Sequence, residues 1–174
     1  MKKLLAIVLV VLSVFSVTVV ASAAMSPLPD IHIDFYPDNP GANFWFKVSY
    51  DEARHKAANA ELAKIAALED QSEYFGAAGE EAKEILGSDE IEVCEFAPVA
   101  AGNYKEEMGN VKLAISCPTV YAEGQPVAVL FGYDGDWRAF EGVGTADGKV
   151  EVTLDPEMVL EVQNTGKVLM AIAI

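Results

Sequence analysis

The sequence predicts an α+β protein: an N-terminal hairpin and an Ala-rich helix packed on a C-terminal antiparallel β-sandwich with Greek-key character. Three observations carry this. Val127 to Leu154 reads as three consecutive strands joined by Asp134-Gly135 and Asp147-Gly148. Tyr50 to about Asp70 is rich in Ala and Leu and holds no Gly or Pro, which favours helix. From Ser88 onward the composition turns to strands, with one short crossover, as in a small sandwich.

Within the meander, Val150, Val152 and Leu154 alternate with Lys149, Glu151 and Thr153, the period of a half-buried strand. Asp147-Gly148 before it suits a type I′ turn, which needs positive φ at both central residues. Val127 to Phe131 is continuously apolar and reads as a strand buried on both faces. The register of the next hairpin stays open. A two-residue loop sets Trp137 opposite Gly132, where the missing side chain leaves room for an indole; a three-residue loop sets it opposite Tyr133.

Ahead of the helix, Ile31, Ile33 and Phe35 alternate with His32 and Asp34, and Phe44, Phe46 and Val48 alternate with Trp45 and Lys47. Pro37-Asp38-Asn39-Pro40-Gly41 between them is turn chemistry, so a hairpin is expected, with Trp45 facing out or under a neighbour if Phe44 and Phe46 face the core. Ser49-x-x-Glu52 has the form of a capping box. Gln71 to Gly79 breaks the helix, with Tyr74 and Phe75 as anchors onto the sheet. Glu80 to Leu86 reads as a second helix stopped by Gly87. Ile91 to Phe96 and Val111 to Ser116 are strands. Asp155-Pro156-Glu157 opens a short helix that closes at Asn164-Thr165-Gly166. Val168 to Ile174 is apolar on both faces and is placed centrally in the sheet.

Met1-Lys2-Lys3, the apolar run from Leu4 to Val20, and Ala21-Ser22-Ala23 read as a secretory signal peptide cut near Ala23. The rival is an uncleaved N-terminal anchor helix. The organisation expected is therefore a signal peptide over 1–23, a hairpin plus helical segment over 24–88 and a β-sandwich domain over 89–174. Loss of Lys2 and Lys3 takes the net charge from −15 to −17. A chain this acidic repels nucleic acid and anionic membrane surfaces, so neither is an expected partner. A mature chain of about 150 residues buries roughly 68–70% of its unfolded surface, enough for one core. No membrane span is expected after signal cleavage.

Cys94 and Cys117 form an even pair in an exported chain, which makes them a candidate disulfide. Cys117 keeps phase with Val111, Leu113 and Ile115 and should point inward. Cys94 is out of phase with Ile91 and Val93, which a β-bulge would reconcile.

Tyr74-Phe75-Gly76, Glu95-Phe96-Ala97-Pro98, Gly109-Asn110-Val111-Lys112-Leu113 and the strand from Tyr121 through Gln125 to Leu130 carry a resemblance. Over about residues 55 to 174 the chain resembles small secreted proteins of anaerobic Gram-positive bacteria that pair an Ala-rich helical segment with a C-terminal all-β module. The resemblance implies fold and export; it implies no activity and assigns no functional residue.

There is no G-x-S-x-G turn, and His32 on a strand and His55 on a polar helix face offer no positioned base. There is no H-E-x-x-H or paired C-x-x-C, and Asp134, Asp136 and Glu141 lack EF-hand spacing. No catalytic residue, metal or cofactor is expected. The aromatic set is the one suggestive feature: Tyr36, Trp45, Tyr133 and Trp137 are candidate glycan-stacking residues, since such rings offer apolar area beside polar groups. The expectation is a secreted, non-enzymatic module acting by protein–protein contact at or outside the cell envelope. A carbohydrate-binding module is the first alternative and a small secreted hydrolase the second. The partner is thus an extracellular protein or a glycan, and the sequence leaves the oligomeric state open.

Overall fold

The computed structural model describes residues 30–41 and 43–174. The expected signal segment lies outside the described residues. Among them, no helix is long and apolar enough to cross a membrane. The described residues are α+β: eight antiparallel strands in one nearly closed, barrel-like sheet, with three α-helices.

The strands are β1 (His32–Pro37), β2 (Trp45–Val48), β3 (Val93–Gly102), β4 (Val111–Ser116), β5 (Pro126–Tyr133), β6 (Asp136–Gly144), β7 (Val150–Leu154) and β8 (Leu169–Ala173). Their order is β1-β4-β7-β6-β5-β8-β3-β2. The layout therefore differs from the expected sandwich, which needs two sheets face to face. β1 and β2 do not pair with each other as a hairpin either. β1 pairs with β4 and β2 with β3, so the two N-terminal strands lie at opposite ends of the order. They meet side to side across the seam, where the Phe35 and Phe44 rings pack edge to face at 5.0 Å. The turn residues between them serve this arrangement: Asp38 and Asn39 donate backbone N–H to the carbonyls of Asn110 and Met108.

The interior follows from alternation. Phe46, Val99, Leu113, Val129, Phe131, Val152, Met170 and Ile172 point into one cluster. The helix α3 (Pro156–Thr165) adds Met158, Val159 and Val162 to it. Asp155 caps α3 by accepting from the Met158 N–H at 2.8 Å, as its sequence predicts. The opposite face of β3, β5, β6 and β8 is apolar too, through Phe96, Leu130, Trp137 and the small residues Ala128, Ala171 and Ala173. That second face is covered by α1 (Glu52–Ile65), a 3-10 turn (Gln71–Phe75) and α2 (Ala77–Leu86). Continuous apolar sequence in β5 and β8 thus has a cause: each strand is buried on both sides. β8 lies between β5 and β3, inside the sheet as expected.

Three local details refine the sequence reading. The α1 cap is Asp51, which accepts from the Arg54 N–H at 3.0 Å; the expected capping box from Ser49 does not form, because the Ser49 hydroxyl accepts from the Asp51 N–H at 3.3 Å, while the Ser49 carbonyl meets the His55 ring. His55 is accordingly buried rather than solvated on a polar face. A register shift between Val93 and Glu95 supplies the bulge that Cys94 called for.

Asp70 links the helical elements. Its carboxylate caps the 3-10 turn at the Ser72 N–H (2.9 Å) and accepts from Lys83 Nζ of α2 (2.8 Å). Lys83 first, and Ser72 after it, hold this carboxyl down to about 2, from an ordinary 3.8. A depressed carboxyl stabilises the fold above its unfolded value and stops doing so as pH falls through its folded one. The melting-temperature gap between the protein and Asp70→Asn is expected to be constant above about pH 4 and to close by about pH 2. A gap unchanged at the acid end would contradict this role.

Candidate functional site

The β5–β6 hairpin decides where the aromatic residues go. Gly132 pairs with Trp137 and Tyr133 with Asp136, so the loop has two residues, Asp134-Gly135. Both have positive φ, 52° and 89°, the geometry of a type I′ turn. The turn at Asp147-Gly148 is different: only Gly148 has positive φ, and the Thr145 N–H donates to the Lys149 carbonyl across a longer loop. With the two-residue register, the indole of Trp137 crosses over Gly132 and leaves the barrel interior for the outer face. It is 8% exposed and meets Phe75 edge-on at 4.9 Å, Tyr74 at 5.9 Å and Phe96 at 6.0 Å.

Beside this aromatic cluster lies a half-open cleft of about 560 Å³. It is lined by Tyr133, Asp134 and Trp137 of the hairpin, by Arg54 and Glu61 of α1, and by Tyr74 and Lys167. Arg54, Ala57 and Glu61 line it because residues three and seven apart share a helix face.

Each polar group is held by a nameable cause. The ladder between β3 and β8 ends at Pro98 and Leu169, and β2 takes over from Val99. Arg54 Nη2 sits at that stagger and donates to the carbonyls of Val99 (2.9 Å) and Val168 (3.1 Å). Burial lowers its pKa from 12.5, and the charge of Asp51 opposes the shift, so the guanidinium stays charged. Glu61 accepts from Lys64 Nζ at 2.7 Å and from the Tyr74 hydroxyl at 2.9 Å. Those bonds, Lys64 first, hold it below the ordinary carboxylate range. The Tyr74 phenol is driven upward by burial first, then by Glu61 and by Asp134. Lys167 Nζ lies 6.0 Å from the centre of the Tyr133 ring.

Of the four expected sugar-stacking aromatics, the fold brings Tyr133 and Trp137 together in this cleft. Trp45 and Tyr36 lie elsewhere. Trp45, on β2, is 37% exposed as expected, but its indole rests on Gly102 and carries the Lys47 ammonium at 5.0 Å. Tyr36, 57% exposed, borders a shallow recess with Pro37, Pro40 and Phe44. Sequence reasoning missed Arg54, Glu61 and Lys167. The spacing of Arg54, Ala57 and Glu61 was the available signal, and it reads as an ordinary solvated helix face until the hairpin is placed opposite.

The two cysteines lie at the other end of the sheet, both free and half-buried. Thr119 donates from its N–H (3.2 Å) and its hydroxyl (2.8 Å) to Glu95 Oε1, tying the loop after Cys117 to the strand that carries Cys94. Burial, then nearby glutamate charge, pushes both thiols up to about 11. In the reduced protein they should alkylate slowly at neutral pH and quickly on unfolding. Rapid labelling of the native protein by iodoacetamide would contradict this.

Comparison of the chain with protein-family models, with curated proteins and with solved structures gave no significant match.

Proposed function

We propose that the protein is an exported, non-enzymatic binding module whose cleft between α1 and the β5–β6 hairpin takes a protein-derived ligand at or outside the cell envelope. The observation that carries this reading is the cleft itself. Charged groups of both signs converge beside an aromatic wall, in a volume suited to a small ligand. Two of its titratable groups are shifted away from neutral pH: Glu61 is pushed down and Tyr74 up. A general acid or base works best near the operating pH, so this set suits recognition better than proton transfer.

A glycan is the second reading, favoured by the meeting of Tyr133 and Trp137 in one cleft. Against it, Trp137 is almost fully packed, and the Trp45 ring is engaged by Gly102 and Lys47. Sugar stacking needs an open ring face.

The test is a thermal-shift and tryptophan-fluorescence screen of the exported chain, residues 24–174, against short peptides and against cell-wall oligosaccharides. Stabilisation by peptides supports the first reading. Stabilisation by sugars alone replaces it with the second. Turnover of either class would overturn the non-enzymatic reading.

Export also bears on the cysteines. Cys94 and Cys117 are proposed as a disulfide in the oxidising exterior, closing the loop between β3 and the end of β4. On the chain-entropy model such a bond contributes about 3.4 kcal/mol. Protein secreted and purified without reductant is then expected to show no free thiol after denaturation; two would contradict the bond.

A further inference from the structure

We infer that β1 is a strap that opens and closes on β2, and that closing it completes the barrel with one further ladder, Ile31, Ile33 and Phe35 against Val48, Phe46 and Phe44. In an antiparallel pair, alternate residues bond the partner strand and the others turn their backbone groups away from it. The Asp38 N–H donates to the Asn110 carbonyl in line with the β1–β4 register. Tyr36, Asp34 and His32 therefore bond β4, and Phe35 and Ile33 turn their N–H and C=O toward β2. The Ser49 N–H donates to the Pro98 carbonyl in line with the β2–β3 register. Lys47 and Trp45 therefore bond β3, and Val48 and Phe46 turn their backbone groups toward β1.

Among the described residues no ladder joins these two edges. They are nonetheless matched. Every neighbouring pair in the strand order is antiparallel, so β1 and β2 also run antiparallel where they meet. The packing of Phe35 on Phe44 sets Ile33 opposite Phe46 and Ile31 opposite Val48, with all six side chains in the interior cluster. Ile33 is 5% exposed and Phe46 is 1% exposed, so their free backbone groups have little access to water. Buried backbone groups left unpaired are rare and costly, and the partner that each row fits is the other row. The connector between the strands is anchored at two separate points, which holds the rows apart. Asp38 and Asn39 are tied to Asn110 and Met108, while the Asn43 carbonyl accepts from Asn103 Nδ2 at 2.9 Å.

The experiment is residue-resolved amide exchange on residues 24–174, wild type and Lys47→His, with and without nickel. In the closed register His32 and position 47 are directly opposed and exposed on the outer face. They form a non-hydrogen-bonded pair, whose Cα atoms come to about 4.5 Å, so His32 and the introduced imidazole share a nickel ion across the closed seam. In the wild type, exchange should alternate along each strand. Ile33 and Phe46 are expected to exchange about tenfold faster than Asp34 and Lys47, the scale of one backbone hydrogen bond. Nickel should slow Ile33 and Phe46 of Lys47→His about tenfold, EDTA should reverse this, and the wild type should not respond. Wild-type protection of Ile33 and Phe46 equal to that of Leu113 would mean a permanent ladder and overturn the strap. Nickel that leaves their exchange in Lys47→His unchanged would overturn it too, because the two edges then never meet.

Discussion

Phe75→Ala is expected to cost about 3–5 kcal/mol, the usual penalty for removing a buried aromatic side chain. Phe75 is 2% exposed and joins the Trp137 indole (4.9 Å) to the Tyr74 ring (5.1 Å). It is the wedge by which the 3-10 turn fastens the helical layer to the outer face of the sheet. A domain this size has a total stability of about 5–15 kcal/mol, so the loss is a large share of the whole. Urea unfolding measures it. Amide exchange locates it, with faster exchange expected in α1 and α2 and less change in β4 and β7, whose side chains point into the separate interior cluster. A penalty below about 1 kcal/mol would mean that the layer is held elsewhere.

Gly132→Ala is the second large effect, expected at about 3 kcal/mol, the upper end of ordinary overpacking. A Cβ at Gly132 would lie 2.1 Å from the Asp136 carbonyl oxygen and 2.7 Å from the Trp137 Cα. Both are backbone atoms of the paired strand, fixed by the two-residue turn, and no rotamer change clears them. The hairpin must part or slip. Because the indole crosses over this position, the variant should also show red-shifted tryptophan emission and lose ligand binding at the cleft. Unchanged stability and emission would contradict the close approach on which the cleft wall depends.

The sequence revealed most of the local structure. The Asp155-Pro156 start of α3, the Gly87 stop of α2 and the bulge beside Cys94 were all readable. Each depends on a few neighbouring residues and on backbone chemistry. The single barrel-like sheet was not readable. Whether β1 pairs with β2 or with β4 is settled by contacts some 80 residues away, and alternation in Ile31 to Phe35 suits either partner. The expected hairpin of β1 and β2 failed at that point, and the six C-terminal strands expected to split into a sandwich lie instead in one continuous order. His55 was misplaced for a related reason: its burial comes from the Ser49 backbone and the covered sheet, while its helix neighbours are polar.

The cleft was half legible. Tyr133 and Trp137 stood out by residue type, and the register that joins them was one of two open alternatives. Arg54, Glu61 and Lys167 carried no signal of their own. Their meaning comes from the ladder that ends at Leu169 and from a helix laid across the strands, and neither is a local property of the chain.

The most direct test of the cleft as the ligand site is a chemical-shift titration of isotopically labelled residues 24–174 with the short peptides of the thermal-shift screen. Amide shifts are expected to concentrate at Arg54, Glu61, Tyr133 to Gly135, and Gly166 to Lys167, with Trp45 and Tyr36 unmoved. Shifts centred on Trp45, or none at all along α1 and the hairpin tip, would contradict it.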